Sequence, residues 1–190
     1  MERTDLDVHP LIAHRYSPRS FTAREVTDGE LEIVLEAARL APSSMNEQPW
    51  RFLVTRNGER GHDELLSTLL LGNRIWADRA PVLILNMTST KFMQDGRPND
   101  HARHDLGLAI AQLTIQATAL GMGVHQLGGF MPEKARELFE IPEELDAVSV
   151  IAMGFPGDAE QLNEPFRTRE LARSPRRPLN ELVWHGKLPG

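Results

Sequence analysis

The sequence predicts one domain in which helices cover a β-sheet. Helical and strand-like segments alternate from Thr27 to Phe155 with no repeat, low-complexity run or linker between them, and such alternation favours layered packing. The 190 residues suffice for one core of ordinary size. Residues Leu106–Pro132 contain no Asp, Glu, Lys or Arg. A helix in that stretch is therefore buried on nearly all sides, at the centre of the domain or in a large dimer interface.

The elements follow in order. Thr27 and Glu30 have the spacing of a capping box. The helix they open carries Leu31, Val34, Leu35, Ala38, Leu40 and Ala41 on its apolar side, with Glu32, Glu36 and Arg39 toward water. Pro42 stops it. Arg51–Arg56 reads as a strand, Gly58 and Gly61 bracket a turn, and His62–Leu71 reads as a second helix. Pro81 precedes the apolar run Val82–Met87, a buried strand. Thr88–Asn99 has no periodicity and is expected to form a mobile lid over a pocket. Asp100–Leu120 is the long buried helix, with Asp100 as its cap and Gly121 as its stop. A short strand at Gly123–Gly128, a helix at Pro132–Phe139 and a strand at Ala147–Phe155 complete the order. In the basic, proline-bearing tail, Leu179, Leu182, Val183 and Trp184 are apolar enough to dock.

Bulk properties exclude several function classes. Lys and Arg number 21 against 27 Asp and Glu, and the resulting charge of −6 argues against a nucleic-acid surface. Without cysteine there is no disulfide, thiolate nucleophile or iron–sulfur ligand. The opening Met-Glu-Arg-Thr-Asp lacks the apolar core of a secretory signal, so a cytoplasmic location is expected. Gln112, Thr114, Gln116, Thr118, Gln126 and five glycines interrupt Leu106–Pro132, which is therefore no membrane span. Gly121–Gln126 lacks the third glycine of a dinucleotide fingerprint and follows a helix where that motif follows a strand. Asp100, His101, His104 and Asp105 share helical spacing, but no further ligands accompany them. They read as a solvated helix start, with no metal expected and with His104 or Asp105 a candidate pocket residue.

Two segments carry chemistry. Residues 41–52, Ala-Pro-Ser-Ser-Met-Asn-Glu-Gln-Pro-Trp-Arg-Phe, crowd small hydroxyls and amides between a helix and a strand. Such groups both donate and accept hydrogen bonds, and suit a flat, polyhydroxylated cofactor. One helix upstream, Arg15-Tyr16-Ser17-Pro18-Arg19-Ser20-Phe21 places two guanidinium groups and a hydroxyl within a few residues. That is the chemistry of a phosphate grip. Five arginines between Arg167 and Arg177 add a basic cluster to an acidic chain.

With both segments in order, the chain resembles the flavin-dependent nitroreductase family. The matching residues are Arg15, Ser17, Arg19 and Phe21, then Ala41–Ser43, then Asn46, Gln48, Pro49, Trp50 and Phe52. Leu127-Gly128-Gly129-Phe130 and Arg176-Arg177-Pro178-Leu179 match two later segments, so the likeness spans roughly residues 10–183. It implies an α+β, three-layer α-β-α fold with a mixed, mainly antiparallel central sheet in an interwoven homodimer. A single FMN-binding domain would span residues 1–190, its C-terminal arm (about residues 165–190) packing on the partner subunit.

The resemblance further implies FMN at the subunit interface. Arg15, Tyr16, Ser17 and Arg19 would hold it with Arg176 or Arg177 near the phosphate. Pro42, Ser43, Ser44, Asn46 and Gln48 would line the ribityl chain and ring, and Leu127, Gly128 and Gly129 would face flavin N5 and O4. No side chain is catalytic, because flavin N5 carries the chemistry. NAD(P)H would reduce the flavin in a ping-pong cycle, and a small acceptor such as a nitroaromatic or quinone would reoxidise it. Trp50, Trp76 and Phe52 are expected in the core or interface, since a ring stacked on the flavin would block turnover. Tyr16, Met45 and Glu47 depart from the family pattern, and the Glu47 carboxylate would disfavour anionic substrates. The alternatives are a same-fold enzyme of flavin fragmentation or reductive dehalogenation, and a flavin-binding module without turnover.

Overall fold

The computed structural model describes residues 6–172 and 174–188. Its centre is a sheet of four strands: β1 (Trp50–Arg56), β2 (Val82–Ser89), β3 (Gly123–Leu127) and β4 (Leu145–Gly154). They are ordered β1-β2-β4-β3, and every pairing is antiparallel. The run Val82–Leu85 is fully buried because β2 is an inner strand with a helical layer on each face. Its side chains alternate between the layers. Val82 and Ile84 join one cluster with α2 (Asp28–Arg39) and α5 (Ala102–Ala119). Leu83, Leu85 and Met87 join the other, with α3 (Arg60–Thr68), α4 (Leu71–Ala77), α6 (Pro132–Leu138) and α7 (Phe166–Leu171). The architecture is a three-layer α-β-α sandwich, preceded by a single-turn α1 (Pro10–His14).

Local signals act as their chemistry requires. The Glu30 amide donates to Thr27 Oγ1 at 3.2 Å and the Thr27 amide donates to Glu30 Oε2 at 2.9 Å, closing the capping box. α5 buries Leu106, Ala109, Ile110, Leu113 and Ala117 against α2 and the sheet, and ends at Gly121, whose φ of +78° is left-handed. Among the described residues, no helix is long and apolar enough to cross a membrane. Trp50 and Trp76 are buried and Phe52 packs at the edge of the core.

Two expectations are corrected. The helix expected over His62–Leu71 is two helices, because Leu69 and Leu70 are extended. Leu69 bridges to Phe130 and the Leu70 amide donates to the Gly129 carbonyl at 3.0 Å, so a long-range pairing overrides the helical periodicity. Asp100 does not cap α5. The Asn99 side chain accepts from the His101 amide at 3.1 Å and the helix begins at Ala102, after two turn residues at Asp100 and His101.

The segment expected as a lid is a small hairpin. β2 runs on to Ser89, Lys91 bridges to Pro98, and the Phe92 amide donates to the Arg97 carbonyl at 2.9 Å, with Phe92 buried beneath. In the tail, Leu179, Leu182, Val183 and Trp184 are all about half exposed in the single chain.

Candidate functional site

The first cluster forms at the β3 edge. Residues Arg15–Arg19 leave α1 and cross β3, where Pro18 lies so close to Gly123 that a Cβ there would stand 2.2 Å from Pro18 Cγ. Arg15 Nη1 donates to Ser17 Oγ at 3.3 Å. Arg19 is held from its backbone, whose amide donates to Glu170 Oε2 at 2.9 Å, while its guanidinium lies 3.9 Å from the same carboxylate. Burial, chiefly, lowers the pKa of Arg19 from its ordinary value, with Glu170 raising it and Arg169 lowering it.

His125 stands behind this segment. Its Nδ1 is 3.0 Å from the Pro18 carbonyl, and its ring lies 4.6 Å from that of Trp76. Burial is the main reason its pKa falls to about 4, and the charges of Arg19 and Arg15 push the same way against the pull of the Pro18 and Ser17 backbone. The imidazole is therefore neutral near pH 7, with its Nδ1–H donated to that carbonyl.

Leu127, Gly128 and Gly129 end β3 beside α4. Leu127 places its side chain in the core, so only its backbone can meet a ligand. Gly129 has an internal reason to be glycine: a Cβ would stand 2.7 Å from Asn73 Nδ2, which donates to the Gly129 carbonyl at 3.0 Å. Gly128 meets no such contact, since beyond its own chain neighbours no described residue comes within 4 Å of where its Cβ would be.

The second cluster lies between α2 and β1. Met45, Asn46 and Gln48 adopt φ values of 53°, 57° and 52°. Each left-handed non-glycine residue costs on the order of 1–2 kcal/mol, and such strain persists only where surrounding contacts impose it. Here Ser43 Oγ accepts from the Gln48 amide at 3.0 Å. The Ser44 amide donates to Asp105 Oδ2 at 2.9 Å, and Asp105 Oδ1 lies 3.0 Å from His104 Nδ1. The hairpin joins in, as the Met93 amide donates to Glu47 Oε1 at 2.7 Å. Gln48 Nε2 is occupied within the loop by the Asn46 carbonyl at 3.1 Å, while the exposed Asn46 and Pro42 face outward.

These clusters do not share a pocket within one chain. β1 and β3 are opposite edges of the sheet, three interstrand spacings or roughly 14 Å apart. The flanking residues Ala41 and Trp50 belong to the core under α2 and α5, whereas Leu127 and Phe130 belong to the core on the other face. Tyr16 is half-buried with the first cluster, and Arg176 and Arg177 lie on the exposed tail. A separate apolar groove of about 380 Å³ runs between α2 and α5, lined by Ala37, Leu40, Ala111, Gln112, Ile115 and Gln116.

Two residues, His125 and Asn73, emerge only here, and Asp105, a candidate pocket residue in the sequence, gains its role here. His125 sits in the segment read above merely as a failed dinucleotide motif, although its i, i+2 relation to Gly123 put both on one strand face. Asp105 is a buried anchor for the Ser43–Gln48 loop. Asn73 carried no sequence signal. Among the described residues, no group of three His, Asp or Glu side chains could hold a metal ion.

Known proteins share this fold and sequence pattern. The family model for the nitroreductase family matches residues 12–72 and 60–155. A protein of Archaeoglobus fulgidus, provisionally named NADH dehydrogenase/NAD(P)H nitroreductase, is 32% identical over 161 residues, covering 81% of this chain and 88% of its own length. A solved structure described as an oxidoreductase containing FMN superposes with a TM-score of 0.93 at 30% identity, covering 99% of this chain and 96% of the other. Another, provisionally a nitroreductase of Desulfovibrio desulfuricans in complex with FMN, gives 0.73 at 29% identity, covering 96% and 99% of the two chains.

Proposed function

The chain belongs to the nitroreductase family, and we propose that it is an FMN-dependent oxidoreductase that passes hydride from NAD(P)H to small electrophiles such as nitroaromatics and quinones. The carrying observation is the Arg15–Ser17–Arg19 segment pinned at the β3 edge, with Arg15 Nη1 already 3.3 Å from Ser17 Oγ. Two guanidinium groups and a hydroxyl match a phosphate dianion in charge and donor geometry. Gly128 supports the same reading, because its missing Cβ serves nothing inside the described chain.

Bound FMN would supply the redox chemistry, taking hydride from NAD(P)H and yielding it to an acceptor that occupies the same face afterwards. The chain's residues bind and orient. Arg15, Ser17 and Arg19, joined by Arg176 or Arg177, hold the phosphate. The backbone of Leu127–Gly129 approaches the ring edge, where an N–H donor favours negative charge on the reduced ring. Glu47, tied to the Met93 amide, leaves a carboxylate near the entrance and disfavours anionic acceptors. Work on NAD(P)H fits a cytoplasmic location.

Residues 1–190 act as one domain in a homodimer. Pro42, Ser43, Ser44, Asn46 and Gln48 stand at the edge opposite Arg15 and Gly128, so a partner's copy of this loop would complete each site. The half-exposed Leu179, Leu182, Val183 and Trp184 fit an arm of about residues 165–190 packed on that partner, and the α2–α5 groove offers further apolar surface.

The test is a spectrum of the purified protein with and without NAD(P)H in the absence of oxygen. A flavin spectrum that bleaches, and returns on adding a quinone or nitroaromatic, is expected. Light scattering should give twice the 21.4 kDa chain mass. Colourless protein that does not bind added FMN overturns the reading. Yellow protein that leaves NAD(P)H untouched would be a flavin-binding module instead.

A further inference from the structure

We propose that Gly123 and His125 form the seat that sets the Arg15–Arg19 segment in register for a phosphate, which makes His125 a positioning residue of the site. The inference rests on the FMN reading above and assigns a role to a strand face that reading leaves unused. Gly123 and His125 point the same way from β3. The first is bare so that the Pro18 ring can lie on the strand, since a Cβ would stand 2.2 Å from Pro18 Cγ and 2.8 Å from Cδ. The second reaches the same residue from its other side, Nδ1–H donating to the Pro18 carbonyl at 3.0 Å. Proline fixes its own φ and disfavours helical backbone at Ser17. A grip on Pro18 at ring and carbonyl therefore fixes the residues on both sides of it.

The surroundings suit an uncharged donor. Trp76 backs the imidazole at 4.6 Å. The charged groups facing it are Arg15 and Arg19 from the gripping segment, with Glu170 of α7 compensating Arg19. A cationic side chain at this position would repel the guanidinium groups it is meant to hold, and an acceptor could not bind a carbonyl. A neutral imidazole meets both conditions, and the burial that keeps it neutral also strengthens its hydrogen bond to the Pro18 carbonyl.

Flavin-free His125→Phe and His125→Gln proteins should be titrated with FMN and with riboflavin, which lacks the phosphate. His125→Phe keeps a ring but loses the donor, and should weaken FMN about three- to tenfold while riboflavin changes less than about twofold. His125→Gln restores an N–H and should recover much of that loss. Unchanged FMN affinity in His125→Phe overturns the proposal, as does an equal loss for both ligands, which marks a merely structural residue. Hydrogen exchange at the Ser17 and Arg19 amides should quicken in His125→Phe and less so in His125→Gln. If the parent binds neither flavin, the FMN reading fails with it, and unchanged exchange would remove the seat as well.

Discussion

Acidification from pH 7 to pH 5 should destabilise the flavin-free protein by about 2 kcal/mol through His125. Its folded-state pKa lies at about 4, against about 6.5 for an unfolded histidine. Between those values the unfolded chain binds more protons than the folded one. Stability from this group is therefore complete above about pH 6.5, declines as the pH falls, and is lost by about pH 4. Integrating the two titrations from pH 7 down to pH 5 yields the figure of about 2 kcal/mol, with about 3 kcal/mol for the whole window. His62, also depressed by burial, drifts in the same direction. The quantity to read is thus the difference between the parent and His125→Gln, which cannot titrate. Urea unfolding at fixed protein concentration, followed by tryptophan fluorescence, suits the purpose because Trp76 touches the imidazole. With a slope of about 2 kcal/mol per molar urea, the parent midpoint should fall by about 1 M more than the variant's. Parallel declines in the two proteins would show that His125 is not held neutral by its surroundings.

Three further outcomes are expected. Asp105→Ala strands the Ser44 amide and frees the left-handed turn, so thermal unfolding should report a loss of about 1.5–3 kcal/mol; an unchanged midpoint would make Asp105 a bystander. Gly128→Ala should leave unfolding within about 0.5 kcal/mol of the parent, because its Cβ meets nothing, yet weaken FMN; a stability loss without a binding loss would contradict a ligand-facing role. Arg15→Ala should loosen FMN by at least about tenfold and leave riboflavin nearly unaffected, and equal weakening of both would show that Arg15 does not hold the phosphate.

What the sequence determined by itself is what a few neighbouring residues can decide. The Thr27–Glu30 box, the stop at Gly121 and the buried run Val82–Leu85 are set by hydrogen bonds and burial patterns within one or two turns. The motifs at Arg15–Phe21, Ala41–Phe52 and Leu127–Phe130 carried the family because their residue types and order survive without coordinates. Tertiary structure decided wherever a partner arrives from far along the chain. Leu69 and Leu70 abandon the helix for Phe130 and Gly129, some 60 residues away. Asp105, read as a helix-start charge or a pocket residue, anchors Ser44 across 61 residues, and His125 holds Pro18 across 107. The separation of the Arg15 and Ser43 clusters to opposite edges is likewise a consequence of the strand order β1-β2-β4-β3. No local pattern encodes that order, because it follows from which faces can be buried together, and burial is a property of the whole chain.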